Sequence, residues 1–158
     1  MSIDKVRNYL KKYSYDDKIL EFDKSSATVE LAAKAIGCKE SEILKTLSFK
    51  INDDCIVVCV SGDSRVDNRK YKDLFNVKAR MLKHDEVEYY TGHKVGGVCP
   101  FALKEGVKIY LDKSLKKHEY VYPACGSFNS AIRLSLSELE RVTEYPEWID
   151  VCREDNNA

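Results

Sequence analysis

The sequence predicts an α/β fold built on a mixed β-sheet, and three patterns lead to this prediction. Strand-like and helix-like segments alternate along the chain, which is typical of α/β proteins. The segments "LSFKI" and "CIVVCVSG", joined by "NDD", have the pattern of an antiparallel hairpin. The second segment is apolar on both faces, as strands at the centre of a sheet are. We therefore expect one sheet that contains both parallel and antiparallel neighbours.

The predicted helices are located by their capping residues and by apolar residues at helical spacing. Ser2 can cap a first helix. A second helix begins at Ser26 or Thr28 and ends at Gly37, because glycine favours the left-handed conformation that ends helices. Further helices are predicted in "SRVDNRKYKDLFN", "HDEVEYYTG" and "SLSELERVTEY".

Further strands are predicted from short runs rich in β-branched and aromatic residues. They are "KILEF", "VKARML", "VKIYLD", "EYVYPACG" and "AIRLS". The tail from Pro146 is acidic, and we expect both it and the first helix to be peripheral. No linker, repeat or low-complexity tract interrupts the sequence, so we expect a single compact domain over residues 1–158.

Charge and composition exclude some classes of function. The chain has 26 Lys and Arg against 26 Asp and Glu, so no global positive field attracts nucleic acid. Any RNA contact would depend on a local basic patch. No apolar run approaches the length of a membrane span, and the first residues lack the apolar core of a signal peptide. We expect a cytoplasmic protein with no membrane or DNA partner.

The six cysteines predict neither disulfides nor a metal site. A protein without an export signal stays in a reducing compartment, where disulfides are rare. The sequence contains no C-x-x-C pair, which a structural zinc site usually requires. We expect free thiols, no metal and no cofactor.

The glycine-rich loop is the segment "TGHKVGGVCPFAL", residues 91–103. Gly96 and Gly97 would allow successive N–H groups to point in one direction and so hold an anion or a developing oxyanion. A glycine pair is also typical of a plain turn that needs positive φ. Taken alone, the pair favours the turn.

Lys45 and a basic segment are further candidates. Lys45 in "ILKTLSF" lies among apolar residues, so its side chain either snorkels to solvent or is partly buried beside a partner. Arg65, Arg69 and Lys70 begin a basic segment that would either contact phosphates or form a solvated helix face.

A cysteine nucleophile is an alternative reading of the glycine-rich loop. Cys99 follows His93 by six residues, and a Cys–His pair can form an activated thiol. Activation requires a partner that lowers the pKa of the thiol. No helix N-terminus that would do so is evident beside Cys99.

Five segments occur in a distinctive order: "SSATVELAAKAIGCKESEILKTLSFK", "VSGDSRVDNRK", "YYTGHKVGGVCPFAL", "VKIYLDKSL" and "CGSFNSAIRLSLSELERV". Together they resemble the YbaK/ProX family of aminoacyl-tRNA deacylases, relatives of the editing domain in bacterial prolyl-tRNA synthetases. The resemblance runs from about residue 26 to residue 142, which we expect to be the core of the domain. It implies a mixed, curved β-sheet with peripheral helices.

The resemblance also implies a set of site residues. The family's functional lysine precedes T-L-x-F and corresponds to Lys45, and its G-x-x-x-P loop corresponds to residues 96–100. We therefore expect Lys45, Gly96 and Gly97 to be catalytic. The expected substrate contacts are Val98, Cys99, Pro100, Phe101, Ser127 and Asn129. The expected RNA contacts are Arg65, Arg69 and Lys70.

The implied activity is hydrolysis of the ester between a wrong amino acid and the 3′ end of a tRNA. Cysteine-specific members carry an aspartate before the last strand, where this chain has Ala131, and Asn129 resembles other branches. We expect a trans-editing hydrolase that acts on tRNA for proline carrying a small wrong amino acid such as alanine or cysteine. Its expected partners are aminoacyl-tRNA and prolyl-tRNA synthetase. The alternatives are a non-catalytic module that binds tRNA or a synthetase, and a thiol-dependent enzyme that uses Cys99.

Overall fold

The computed structural model describes residues 2–154, which form one four-stranded sheet, three two-stranded ribbons and five α-helices. The strands are β1 Leu20–Glu21, β2 Leu44–Ile51, β3 Asp54–Ser61, β4 Ser64–Val66, β5 Lys108–Asp112, β6 Tyr120–Val121, β7 Ser130–Ala131, β8 Leu134–Ser135, β9 Glu147–Ile149 and β10 Cys152–Glu154. The α-helices are α1 Ser2–Lys11, α2 Val29–Ile36, α3 Asn68–Phe75, α4 Val87–Thr91 and α5 Leu136–Val142.

The main sheet has the strand order β2-β3-β5-β9. β2 and β3 are antiparallel, with Lys45 opposite Val60, whereas β3 pairs with β5 and β5 with β9 in parallel. The predicted α/β class, the mixed sheet, the hairpin and the central position of β3 are therefore confirmed. The ribbons pair β1 with β7, β4 with β10 and β6 with β8, all antiparallel.

The two faces of the main sheet carry separate apolar cores. Leu44 and Cys59 contribute to the first core, together with Val6 and Leu10 from α1. Because Val6 and Leu10 have no exposed surface, α1 is part of the packing rather than a peripheral addition. Burying side chains of this kind contributes roughly 2 kcal/mol each.

The second core lies on the other face of the sheet and includes Phe49, Val60 and Tyr71. Side chains alternate between the faces of a strand. Thr46 therefore shares the face of Leu44, whereas Lys45 leaves β2 on the face of Phe49. This alternation decides where the ammonium group of Lys45 can reach.

Three helix ends confirm the sequence signals. The Thr28 side chain accepts a hydrogen bond from the Leu31 N–H, so Thr28 rather than Ser26 caps α2. Gly37 and Gly92 end α2 and α4 with φ of 84° each. The predicted cap at Ser2 depends on a side chain that lies outside the described atoms.

Three segments differ from the sequence prediction. Residues 64–66 begin the predicted helix "SRVDNRKYKDLFN" but form β4, and α3 begins only after its cap at Asp67. "VKARML" does not form a strand: only Met81 makes an isolated bridge, to Phe49. The segment expected to be a peripheral tail instead supplies β9 to the main sheet and β10 to a ribbon, and Val151 between them is fully buried. Across residues 2–154, every helix is too short or too polar to cross a lipid bilayer.

Candidate active site

A cleft of about 370 Å³ lies between the edge strand β2, the start of α2 and the glycine-rich loop. Its wall is largely apolar and includes Ala32, Ile43, Val98 and Ala124. Among the described residues that line it, only Lys45 carries a charge at neutral pH. The described residues also contain no group of three His, Cys, Asp or Glu side chains placed to hold a metal ion. Any chemistry in this cleft therefore depends on one ammonium group, on hydroxyls and on backbone groups.

Lys45 lines this cleft and also reaches beyond it. Its side chain is half-buried, and its Nζ donates a hydrogen bond to the Ser64 carbonyl oxygen at 2.6 Å. Ser64 begins β4 and belongs to the wall of a second cleft, described below. The Lys45 side chain thus connects the two clefts, with its ammonium group anchored on a carbonyl.

The glycine pair forms a turn. The Gly97 N–H donates to the Lys94 carbonyl oxygen at 3.0 Å, which closes a four-residue turn over residues 94–97. Gly96 occupies the third position with φ of 90°, a conformation that a type II turn requires and that glycine adopts without strain. The turn predicted from the residues is therefore present, and it holds Gly96 at the cleft wall.

Close packing explains the second glycine. A methyl group added to Gly97 would lie 2.8 Å from the carbonyl carbon and oxygen of Gly126, and that backbone cannot easily give way. The N–H of Gly97 is already used in the turn. The N–H groups of Gly96 and Val98 make no hydrogen bond to another residue in the range 2–154, and both residues line the cleft. They are therefore candidate donors to a ligand in the cleft.

A buried histidine closes the base of the loop. Because a carbonyl can only accept, His93 Nε2–H donates to the Phe101 carbonyl oxygen, at 2.7 Å. Thr91 Oγ1 accepts from the His93 N–H at 3.1 Å. Burial lowers the pKa of His93, the Phe101 carbonyl opposes this change, and the positive charge of Lys5 adds to it. A neutral His93 thus ties together the two ends of the segment that carries Gly96.

Three residues predicted as substrate contacts lie behind the cleft rather than in its wall. Cys99 and Phe101 have no exposed surface and belong to the first core, and Pro100 is also buried. Burial raises the pKa of the Cys99 thiol to about 12, although its sulfur lies 3.6 Å from His93 Nε2. A thiol held protonated and away from solvent is a poor nucleophile.

Ser127 and Asn129 support the opposite wall of the cleft. Ser127 Oγ donates to the Asn129 side-chain oxygen at 3.0 Å, and the Ser130 hydroxyl lies 2.7 Å from Ser127 Oγ, within hydrogen-bond distance. The Asn129 amide donates in turn to the Phe22 carbonyl oxygen at 2.9 Å. Ser130 and its neighbour Ala131 are the residues of this segment that line the cleft.

The three predicted RNA contacts lie on the other side of Lys45. Arg65 on β4 and Arg69 in the first turn of α3 are exposed. Lys70 donates to the Asp150 carboxylate at 3.2 Å and to the Cys152 carbonyl oxygen at 3.0 Å. None of the three lines the first cleft. Arg65 follows Ser64 on β4, and Lys70 lines the second cleft together with Ser64, the residue that accepts the hydrogen bond from Lys45.

A second cleft of about 370 Å³ occupies this basic region. Its described lining residues are Ser64, Lys70, Asp112, Lys113, Ser114, Lys117, Asp150, Cys152 and Arg153. Desolvation raises the pKa of Asp150, but hydrogen bonds from Lys113 and Lys70 lower it by more, so the carboxylate stays ionised. The cations outnumber the carboxylates, which makes this cleft suited to a phosphate.

The sequence did not single out several residues of the first cleft. Ser26, Ala27 and Tyr122 line it, and so does Thr46, the residue after Lys45. Residues 26 and 27 precede a helix, and the sequence pointed to Ser26 only as a possible cap. Tyr122 reaches the site because the N–H of Leu44 donates to its carbonyl oxygen at 3.1 Å, a long-range pairing that local patterns do not reveal.

The fold and the cleft define a class: a mixed-sheet α/β domain whose site combines one lysine with a glycine turn. The model of the aminoacyl-tRNA editing domain family matches residues 23–142. The chain belongs to this family, as its motifs indicated. The family supports a role in editing aminoacyl-tRNA.

Individual relatives agree with this assignment. A protein of Bacillus subtilis, YwhH, which is uncharacterized, is 46% identical over 155 residues, 98% of this chain and 99% of its own length. A solved structure described as a proposed trans-editing enzyme for prolyl-tRNA synthetase is 28% identical, with a TM-score of 0.86 over 96% of this chain and 97% of that one. A proline–tRNA ligase of Bacillus velezensis is 29% identical over 90 residues, 56% of this chain. That match spans 16% of the ligase's length.

Proposed function

We propose that this protein is a freestanding deacylase that hydrolyses the ester bond of mischarged aminoacyl-tRNA. The observation that carries the proposal is the meeting of Lys45 and the Gly96 turn at one small cleft, inside the region that matches the editing-domain family. The preferred substrate is tRNA for proline carrying a small wrong amino acid such as alanine or cysteine. The substrate is expected to place its 3′ end in the first cleft.

Stabilisation of negative charge on the ester carbonyl is the main catalytic effect. An aminoacyl ester is already activated, so a water positioned against its carbonyl needs no strong protein nucleophile. The N–H groups of Gly96 and Val98 would donate to the oxygen as charge develops there. Removing one such donor typically raises the activation barrier by about 3 kcal/mol. The Gly97 N–H, committed to Lys94, supports the turn instead.

Lys45 acts by electrostatics and position. The hydrogen bond from its ammonium group to the Ser64 carbonyl oxygen fixes the direction of the side chain. It lies between the first cleft and the basic second cleft. From there it would neutralise the terminal phosphate or polarise the ester.

The size of the cleft favours small amino acids. Ala32, Ala124 and Ala131 contribute short side chains to a wall that lacks a carboxylate among its described residues. A pocket of this kind excludes larger side chains by steric contact, but discriminates poorly between small ones. Correctly charged proline would be excluded by its ring.

The basic second cleft would hold RNA phosphates. Lys70 lines it, Arg65 follows its wall residue Ser64 on β4, and Arg69 precedes Lys70 on α3. The hydrogen bond from Lys45 to Ser64 joins this cleft to the first. Phosphate contacts give affinity and register without reading sequence. A prolyl-tRNA synthetase partner would deliver the mischarged tRNA.

The second candidate function is a non-catalytic module that binds tRNA ends or a synthetase. One observation favours it: the described wall of the first cleft contains neither a carboxylate nor a histidine, and Ala131 occupies the position where cysteine-specific relatives carry an aspartate. Such a module would bind without turnover.

A deacylation assay with a panel of charged tRNAs tests the proposal. The panel comprises tRNA for proline charged with alanine, cysteine, serine or proline, and correctly charged alanyl-tRNA. We expect wild type to hydrolyse at least one mischarged substrate and Lys45→Ala to lose that activity by about 100-fold, in line with the loss of one charge-stabilising group. Equal, slow hydrolysis of every substrate by both proteins would refute catalysis, and tight binding without turnover would favour the second candidate.

The thiol alternative is tested in the same assay. Cys99→Ala removes the sulfur but leaves the cleft wall in place. We expect its saturating rate to remain within twofold of wild type. Loss of activity in Cys99→Ala together with full activity in Lys45→Ala would replace our mechanism by the thiol mechanism.

A further inference from the structure

An exposed apolar rim surrounds Gly96 at the mouth of the first cleft. Phe128 is 59% exposed and Val95 is 49% exposed. A methyl group placed on Gly96 would lie 3.8 Å from Ala27 Cβ and 3.9 Å from Phe128 Cβ, so both side chains flank the same point of the turn. Ala27, Val95 and Gly96 line the cleft, which places the Cβ atom of Phe128 beside its opening.

The backbone beneath Phe128 is held firmly. The Phe128 carbonyl oxygen accepts hydrogen bonds from the Ser26 N–H at 2.6 Å and from the Ser26 hydroxyl at 3.2 Å. The next residue, Asn129, exchanges two hydrogen bonds with Phe22, at 2.8 Å and 2.9 Å. The ring is therefore exposed on an ordered support. An aromatic side chain presented in this way loses little conformational entropy when a ligand stacks on it.

We propose that Phe128 is the stacking platform for the terminal nucleobase of the tRNA, and that Gly96 leaves the opposite side of this slot open. The inference rests on the proposed function. An ester held in the cleft puts the terminal ribose at the mouth, and its base then lies beside the rim formed by Ala27, Val95 and Phe128. Proteins commonly recognise unpaired bases by stacking them on aromatic side chains.

Several other features of the rim agree with a base rather than with a protein side chain. The exposed surface is a single ring flanked by small side chains, which matches one flat ligand. The first cleft behind it carries the ester, and the basic second cleft beyond Lys45 carries phosphates. The base and the ester of one terminal nucleotide would thus occupy adjacent regions of different chemistry, the rim and the first cleft.

A double-mutant cycle between the protein and its substrate tests the inference. The substrate is an acceptor-stem minihelix charged with the amino acid that wild type removes fastest, prepared with and without the terminal base. We expect Phe128→Ala to raise KM for the intact minihelix about tenfold while kcat stays within twofold, as loss of one stacked base predicts. Removal of the base should raise KM for wild type by a similar factor, and should raise it no further for Phe128→Ala.

Substitutions with defined shapes give the controls. Phe128→Tyr and Phe128→Trp should keep the KM of wild type, whereas Phe128→Leu should behave like Phe128→Ala. Tyr145→Ala, which removes another aromatic ring that is 71% exposed and outside the cleft, should change neither parameter. A KM effect of Phe128→Ala that persists with the baseless substrate would overturn the inference, as would a wild-type KM in Phe128→Leu or in Phe128→Ala. If wild type hydrolyses no mischarged substrate, the proposed function fails and takes this inference with it.

Discussion

The two clefts that the Lys45–Ser64 hydrogen bond connects have opposite chemistry. The first is apolar, and its polar groups are hydroxyls and backbone atoms. The second is bounded by Lys70, Lys113, Lys117 and Arg153, and also contains the carboxylates of Asp112 and Asp150. Ester chemistry would need the first environment, since a dry site strengthens each hydrogen bond to a developing charge. Phosphate binding would need the second.

The difference between the clefts suggests that this fold binds RNA phosphates at one place and hydrolyses the ester at another. In the second cleft, ion pairs such as Lys70–Asp150 are exposed, so each contributes less than about 1 kcal/mol to stability. The main effect of these cations would be a positive electrostatic potential that attracts an anion. In the first cleft, the geometry of one loop matters more than any charge besides Lys45. Substitutions in the two clefts should therefore fail in different ways.

The largest expected effect is at Gly97, which fixes the loop of the first cleft. Gly97→Ala should destabilise the protein by about 3 kcal/mol, because the added methyl group meets the Gly126 backbone at 2.8 Å. Displacement of the loop should also abolish deacylation. Urea unfolding and the deacylation assay measure the two effects.

Gly106→Ala is the matched control. Gly106 has φ of 93° but nothing within 4 Å of an added methyl group, so its substitution costs only backbone strain, about 1–2 kcal/mol. Activity at a temperature where the variant stays folded should equal that of wild type. If Gly97→Ala is no less stable than Gly106→Ala, close packing against the Gly126 backbone does not fix the position of the glycine-rich loop.

A smaller effect is expected in the second cleft. Lys70→Ala should raise KM for mischarged tRNA severalfold, leave the saturating rate unchanged, and reduce the slope of log affinity against log salt by about one unit. Kinetics at several salt concentrations measure this change. Lys34→Ala, which removes an exposed lysine paired with Glu30 on α2, should leave the slope as in wild type. A fall in the saturating rate of Lys70→Ala would remove the proposed division between the clefts.

The smallest effect concerns pH and His93. Burial holds the pKa of His93 below its unfolded value of about 6.5. The unfolded chain therefore binds the proton first, and stability falls as pH drops from about 6.5 toward the folded pKa. The nearby groups that bear on this titration are Lys5 and the Cys99 thiol. In His93→Gln, the loss of stability below about pH 6.5 that comes from His93 should disappear. Urea unfolding midpoints measured between pH 7 and pH 5 would show this. A profile unchanged from wild type would mean that other groups cause the pH dependence.

Local patterns predicted the central parts of this fold well. The hairpin of β2 and β3, the cap at Thr28 and the helix end at Gly92 follow from side-chain chemistry within a few residues. β9 was missed because it has only three residues and because its parallel partner, β5, lies far from it in the sequence. Two backbone hydrogen bonds attach "VKARML" to β2 without making it a strand. The Lys50 N–H donates to the Arg80 carbonyl oxygen at 2.8 Å, and the Leu82 N–H donates to the Ser48 carbonyl oxygen at 3.1 Å.

The candidate site was predictable where the motif was also local. Lys45 and Gly96 line the cleft, but the hydrogen bond of Gly97 to Lys94 and the burial of Cys99 depend on three-dimensional packing. The alternation of side chains along β2 puts Lys45 and Thr46 on opposite faces of the strand. Only the folded structure shows that the Lys45 ammonium group reaches the Ser64 carbonyl oxygen. The sequence identified the segments, and tertiary contacts decided which atoms face the cleft.

The most direct test of the account compares Lys45→Met with Lys50→Met in single-turnover deacylation at saturating protein. Both substitutions keep an unbranched stem on β2, but Lys50 pairs with Glu86 and does not line the first cleft. The account predicts a fall of about 100-fold in the saturating rate for Lys45→Met and a change of less than twofold for Lys50→Met. Equal saturating rates for Lys45→Met and wild type would contradict the claim that the reaction takes place at Lys45 in the first cleft.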